Sequence, residues 1–456
     1  MASVAVPMVA ARPTSVAQIT PNGAVHVDAL DWMCWAAPSM LQAWDALAQM
    51  ASEPNPFLES WYLLASLRAL DPGEAVQILK FTANGALCGL MPVKREKDYY
   101  GKPIRLLANW GHPNSFLGSP LVAPGMEEPF WRALLDWADG RGRHGLFLHL
   151  SGIVLDGKLD QSLRRVLSEQ GRRFGLVHRE ERAMLASEQG PEAYFTASLS
   201  AKKRKELRRQ LSRLCDLGEV RFDRESDSTS LDPWIDQFLQ LETAGWKGKA
   251  GTALASHPHT ERLFRESLAG AASMGRLERL SLRLDGWPIA MLANFMAPPG
   301  MFSFKTTYDE AYSRFSPGVL LQCENLLVLD REDIAWSDSC ASEGHPMIDH
   351  IWRERRAIGR LSIAIGSPLR RAVFRQLLKA ELGRQARKAA RLETQGLKKA
   401  STRHRADIAS LKRQIGQLEQ NVAKLEKLLA KHTPAEKPAT PKVAVRFGAK
   451  SLRKLR

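Results

Sequence analysis

The stretch Tyr308-Asp-Glu-Ala-Tyr312-Ser-Arg314-Phe-Ser316-Pro317-Gly318-Val319 concentrates residues that could do chemistry. A strand ending near Thr307 and a helix opening at Ser316-Pro317-Gly318 would leave backbone N–H groups free at the positive end of a helix dipole. Such a start is a ready site for a pyrophosphate. Pro317 suits the first helical turn, and Gly318 lets a ligand approach the backbone closely. Arg314 can add a charge-assisted contact. A purely structural role competes, because Ser before Pro is also an ordinary helix start. Just upstream, Lys305 can bind an anionic group or simply face solvent. The helix-compatible run Lys202–Arg213 carries seven cations, with Arg204 and Arg208 on one face and Leu207, Leu211 and Leu214 defining the apolar one. Its basic face could hold the phosphates of a large donor, although a charge run is usually solvated.

Several other chemistries are excluded. The chain has no Ser-His-Asp order, P-loop, dinucleotide fingerprint or H-E-x-x-H pair. The five cysteines, Cys34, Cys88, Cys215, Cys323 and Cys340, are scattered without a C-x-x-C, so neither a disulfide framework nor a zinc site is expected. No run approaches the ~18 apolar residues of a membrane span, and Met1–Ala11 lacks a basic segment ahead of its apolar run. The expectation is a cytoplasmic protein with reduced thiols and no metal.

The elements that must position these residues come in two similar sets. Ala75–Phe81, Asn84-Gly85 and Leu87–Val93 read as a hairpin, and so do Leu277–Leu284, Asp285-Gly286 and Pro288–Phe295. Both turns need residues that tolerate positive φ. After the first hairpin come a strand at Ile104–Ala108, a loop through Gly111 and Gly118, a helix at Glu127–Asp139, a strand at Leu146–Leu150, a helix at Leu159–Gln170 and an apolar run near Leu176. After the second come a strand at Met301–Thr306, the Ser316-Pro317-Gly318 loop, a helix to Leu329, a strand at Ile334–Ser337, a short helix at Met347–Arg356 and a strand at Leu361–Ile365. Helices at Trp234–Trp246 and Thr260–Met274 precede the second hairpin. A tandem duplication of an α+β unit accounts for this order.

The 456 residues carry a formal charge of +16, but the charge is not spread evenly. From Arg370 onward there are 24 Lys+Arg against 6 Asp+Glu, a net of +18, which leaves −2 for the preceding 369 residues. The basic character belongs to an appendage, so the step from a high pI to nucleic-acid binding is set aside. Within the appendage, Ile408, Leu411, Ile415, Leu418, Val422, Leu425 and Leu429 recur at spacings of three and four, the seam of a short coiled coil. β-branched residues at a and Leu at d favour a parallel homodimer, and Asp407 can reach Lys412 of a partner helix; a single amphipathic helix on the body is the alternative. The expected organisation is an N-terminal segment 1–52, a degenerate domain 53–190, a second domain 191–368, a basic helix with coiled coil 369–432 and a disordered basic tail 433–456.

The second half resembles the acetyltransferase-like domain of the GNAT superfamily found in the cellulose-biosynthesis protein CelD, related to the Fem-type aminoacyl transferases. The likeness rests on Ser200-Ala-Lys-Lys-Arg-Lys-Glu-Leu-Arg-Arg, Gly245-Trp-Lys-Gly, the Asp-Gly hairpin, Tyr308 to Leu321 and Asp338 at a strand end. It implies two tandem GNAT-like domains and transfer of an acyl group from acetyl-CoA or another acyl-CoA to an amine, with a small molecule or glycan precursor as acceptor. Arg314, Ser316, Gly318 and Val319 would then hold the donor. His345 or Asp349 would serve as base, Asp338 as orienter and Tyr308 or Tyr312 as acid. Trp246, Lys247 and Lys305 would line the acceptor side, although core packing suits a Trp at position 246 better. The Tyr-Lys pair that many relatives carry is replaced here by residues around Ile348 and Asp349. His112, in Trp110-Gly-His112-Pro, occupies the first half's counterpart of the phosphate loop, which has no basic residue. The first half is expected to shape the acceptor cleft. A catalytically inactive scaffold that dimerises through the coiled coil is the alternative function.

Overall fold

A computed structural model describes residues 24–140 and 144–432, with only part of the side chains from residue 389 onward. The tail expected at 433–456 and the first 23 residues lie outside the described residues. The first half runs β1 (Val25–Asp31), α1 (Pro38–Met50), α2 (Ser60–Leu70), β2 (Val76–Ala83), β3 (Ala86–Glu96), β4 (Leu106–Asn109), β5 (Leu121–Val122), α3 (Glu127–Asp139), β6 (Phe147–Val154), α4 (Lys158–Glu169) and β7 (Phe174–Leu185). There follow α5 (Pro191–Ser198), α6 (Ala201–Cys215), β8 (Val220–Glu225), α7 (Leu231–Ala244), α8 (Trp246–Lys249), α9 (Pro258–Ser273), β9 (Leu277–Leu284), β10 (Trp287–Ala297), β11 (Gly300–Tyr308), α10 (Pro317–Glu324), β12 (Trp336–Asp338), β13 (Glu354–Ala364) and α11 (Pro368–His432).

Both hairpins form where the sequence places them. Asn84 and Gly85 adopt φ of 52° and 80°, and Asp285 and Gly286 adopt 49° and 82°, so each turn supplies the left-handed pair that a tight two-residue connection requires. Asp285 further accepts a hydrogen bond from Glu219 N (2.8 Å), which docks β8 beside the turn. Two expectations fail. The helix expected at Met347–Arg356 is a run of turns, and from Glu354 the chain is already in β13, whose length lets it pair on both sides. The helix expected to continue to Leu329 ends at Glu324, and a tighter 3-10 segment follows.

The two halves do not close into separate sheets. One 13-stranded sheet runs β1-β2-β3-β4-β6-β13-β7-β12-β11-β10-β9-β8, with β5 paired to β3. The last strand of each half therefore sits beside the penultimate strand of the other: β13 lies on β6, β7 lies on β12, and β13 and β7 pair with each other over ten positions. This exchange explains why the apolar run near Leu176 and the strand at Leu361–Ile365 are both long. On one side of the sheet α2 packs on α9, and Phe57, Trp61 and Tyr62 join Phe295, Phe302 and Phe304 in an aromatic cluster with ring centroids about 4.4–6.3 Å apart.

Residues through Gly383 form one compact unit and those from Arg384 a second. The first unit includes the start of α11: Phe374 and Leu378 are buried, and Glu381 accepts a hydrogen bond from Tyr99 Oη (2.8 Å). In the second unit α11 continues as a helix to His432. Among the seam positions, Ile415, Leu418 and Val422 are more than half exposed, while the side chains of Ile408, Leu411, Leu425 and Leu429 lie outside the described residues. No helix among the described residues is long and apolar enough to cross a membrane.

Candidate functional site

Two parallel strand pairs mark corresponding places in the halves, and they differ. In the second half β11 and β12 pair at Gly300↔Trp336, Met301↔Ser337 and Phe302↔Asp338, after which β11 continues through Tyr308 paired with β10 on its other side. In the first half β4 and β6 pair at Leu107↔Leu148 and Ala108↔His149, and the gap beyond is closed by side-chain and loop bonds. Asn109 bridges it, donating to Ser151 O (2.8 Å) and accepting from Ser151 N (2.8 Å), and Gly118 N donates to Gly152 O (2.8 Å). A cavity of about 410 Å³ still borders the first-half divergence, and in the second half β11 and β12 separate toward the start of α10, which Met347 covers.

At that start Ser316 adopts φ 54° and accepts from Val319 N and Leu320 N, and Pro317 has no N–H. Gly318 is buried; a Cβ there would lie 2.9 Å from Met347 Sδ and 3.4 Å from Tyr308 Cδ1. Gly318 thus keeps open a cradle that any side chain would fill, and the flexible Met347 side chain is what covers it. The N–H groups of Val319 and Leu320 are engaged by Ser316 O, so what this start offers a ligand is the space at Gly318, under the Met347 side chain. Arg314 is exposed, its guanidinium stacked on Phe315 at 4.7 Å, and Val319, Tyr308 and Tyr312 pack against the apolar cluster under α10.

Asp338 is fully buried. Its carboxylate accepts from Arg356 Nη1 (3.1 Å) and Cys340 N (2.9 Å), and Arg182 approaches to 3.7 Å. These groups, two of them cations that arrive on the exchanged strands β7 and β13, occupy the oxygens expected to orient a base. His345 lies in the turn-rich segment after β12. Burial lowers its pKa against the opposing pull of Asp349, while Lys247 adds to the lowering, so the imidazole is neutral more readily than usual. Its Nδ1 accepts from Met347 N at 3.4 Å. Asp349 has a buried Oδ1 without a hydrogen-bond partner.

One cavity lies between the loop after β4 and the α7–α8 region. It encloses about 470 Å³ and is lined by residues including Trp110, His112, Asn114, Glu242, Trp246, Lys247 and Lys305. Trp246 is 56% exposed, against the expectation that it packs in the core: α7 ends at Ala244, and the short α8 lifts the indole to the rim. Lys247 Nζ donates to Glu242 Oε1 (2.7 Å) and Thr306 O (3.3 Å), and the other oxygen of the buried Glu242 accepts from Leu254 N (2.7 Å). Lys305 Nζ donates to Asn114 Oδ1 (2.7 Å) and stands over the rings of Phe116 (5.2 Å) and Phe304 (5.5 Å). Burial, with Lys247 adding, pulls its ammonium down to about 8. The basic face of α6 has a different use, since Arg204 donates to Thr196 O (2.7 Å) and Leu199 O and ties down the end of α5.

Sequence reading did not single out Asn114 or Tyr62. Asn114 links the two halves through Lys305, and its own backbone accepts from Tyr62 Oη (2.5 Å). Its position two residues after His112 and one after Pro113 is a turn signal, which conceals the contact it makes across 191 residues. Tyr62, on a buried helix, gives no signal beyond that of a core aromatic.

Similar proteins extend this picture. No curated protein matches the sequence. Solved structures similar to this chain include FemX, 10% identical with a TM-score of 0.49, the alignment covering 72% of this chain and 97% of that one. A tandem GNAT protein from the clavulanic acid biosynthesis pathway is 14% identical with a TM-score of 0.40, covering 75% and 100%. A GCN5-related N-acetyltransferase from Kribbella flavida is 12% identical with a TM-score of 0.30, covering 66% and 95%. Residues 201–346 match the family described as the Acetyltransferase (GNAT) domain. From the start of α6 to the turns after β12, then, the chain is similar to the GNAT acetyltransferase domain.

Proposed function

We propose that this protein is an N-acyltransferase that moves an acyl group from CoA, or a similar thioester donor, to an amine. The observation that carries this reading is the unbridged divergence of β11 from β12 with the start of α10 beyond it, inside the matched segment. The donor's phosphates lie against Gly318 and Val319 with Arg314 nearby, and the acceptor amine enters the cleft lined by Trp246, Lys247 and Lys305. Attack of the amine on the thioester carbonyl forms an amide and releases the thiol. His345, neutral at physiological pH and close enough to Asp349 to feel its charge, takes the amine proton once the Met347 N–H releases its Nδ1. Tyr308, packed beside Gly318, returns a proton to the leaving thiolate. The first half contributes the acceptor-side loop, because His112 and Asn114 line the cleft beside Lys305. The likeness to the CelD type supports a place in bacterial envelope or exopolysaccharide metabolism. Release of free CoA thiol from acetyl-CoA across a panel of amines and amino sugars tests the activity; no amine-dependent release from any acyl-CoA removes it.

A second reading is favoured by one observation, the exposure of Ile415, Leu418 and Val422 at the spacing of a coiled-coil seam. It makes the protein a dimerising scaffold through Ile408–Leu429. Sedimentation of the full chain against a chain ending at Gly383, which keeps the packed start of α11, separates the two. An unchanged oligomeric state removes the coiled coil.

A further inference from the structure

The cleft beside Lys305 presents hydrogen-bond donors without matching acceptors. His112 Nδ1 accepts from Asn114 N (3.3 Å), which places the imidazole proton on Nε2. Burial first, and the neighbouring Lys305 second, hold His112 down to about 3, so the ring stays neutral and that tautomer persists across the physiological range. Nε2 is buried and has no hydrogen-bond partner. The ring is stacked on Tyr62, parallel to within 7°, so it is held in place. Lys305 uses one N–H on Asn114 Oδ1, and no carboxylate lies within ion-pair distance of it among the described residues. The acid facing it, Glu242, is already satisfied by Lys247 Nζ and Leu254 N. An unpaired ammonium taken out of water and an imidazole N–H without an acceptor are both costly, and one anionic oxygen-bearing group answers both.

We propose that the cleft is an oxyanion site, and that the acceptor of the transfer is an amine that also carries a phosphate or carboxylate, held by Lys305 and His112. The word acceptor rests on the transferase reading; the oxyanion site does not. Trp246 at the exposed rim of the cleft offers a flat face for the rest of the molecule, and about 470 Å³ accommodates a group of sugar-phosphate or dipeptide size. His112 acts as a fixed donor here and not as a base. The charged and titratable groups facing Lys305 are the Lys247–Glu242 pair, neutral His112 and Cys340, whose thiol is pushed well up by burial and by Asp338. His257 and His259 line the same cleft.

The test is tryptophan fluorescence of the full chain, without acyl donor, titrated with glucosamine 6-phosphate against glucosamine and with glycine against glycinamide. At least one anion-bearing member binds at least about tenfold more tightly than its uncharged-side partner, the size expected for hydrogen bonds to a charged group. Lys305→Met abolishes that preference, His112→Phe weakens it several-fold while keeping a ring on Tyr62, and in the wild type it fades as pH rises from 7 to 9. A base role for Lys305 would give the opposite pH trend. Equal binding of both members of each pair, no binding at all, or a preference that survives Lys305→Met overturns the proposal. A chain that shows the Lys305-dependent preference but does not bind acetyl-CoA loses the transferase reading and keeps the oxyanion site.

Discussion

At the scale of single residues, Lys305 is held in a form that the fold itself disfavours. Its pKa falls from 10.5 to about 8, so between those values the unfolded chain holds a proton that the folded one has released, and stability rises with pH across that window. Below pH 8 both states are charged and the full penalty is present, on the order of 3 kcal/mol. Lys305→Met should therefore be more stable than the wild type at pH 7, with the gap closing between pH 8 and 10.5; denaturant melts at several pH values measure it. Asp338 is the reverse case. Asp338→Ala strips the buried Arg182 and Arg356 of a shared partner and should cost about 3–5 kcal/mol in the same melts. An unchanged midpoint would show that the two arginines find other acceptors. Lys305, Trp246 and Lys247 were expected on an acceptor side through the family likeness, with core packing preferred for Trp246, and the fold sets all three along one cavity. Asn114 was not, because what identifies it is a contact with a residue 191 positions away.

At the scale of elements, the hairpins were legible because an Asn-Gly or Asp-Gly turn fixes local geometry without help from the rest of the fold. Gly286, at φ 82°, has no space problem at its Cβ, so Gly286→Ala isolates the backbone cost, about 1–2 kcal/mol by thermal unfolding. A neutral result would mean that the β9–β10 turn has rearranged. The segment after β12 misled for a physical reason. Met347–Arg356 has helix-compatible composition, but Ile348, Ile351 and Trp352 are drawn into the apolar cluster around Tyr194, and Glu354 onward is claimed by β7. Tertiary pairing overrides local propensity there.

At the scale of the whole molecule, a repeat is legible in sequence but a strand exchange is not, since the order of elements is the same whether each half keeps its last strand or lends it to the other. The exchange predicts that a fragment 191–368 alone, lacking β6 and β7, leaves β13 with both its neighbours missing. It should be insoluble or non-cooperative unless co-expressed with the first half, and a well-folded monomer would contradict the exchange. The exchange also joins the halves chemically, since β7 brings Arg182 to Asp338, while independently of it the loop after β4 brings His112 and Asn114 to Lys305. The claim that joins these scales is that the start of α10 receives an acyl-CoA. Calorimetry with acetyl-CoA tests it most directly. The account predicts saturable binding to the wild type that is lost in Gly318→Asp, where a carboxylate side chain fills the cradle and repels phosphate, and the absence of binding to the wild type would contradict it.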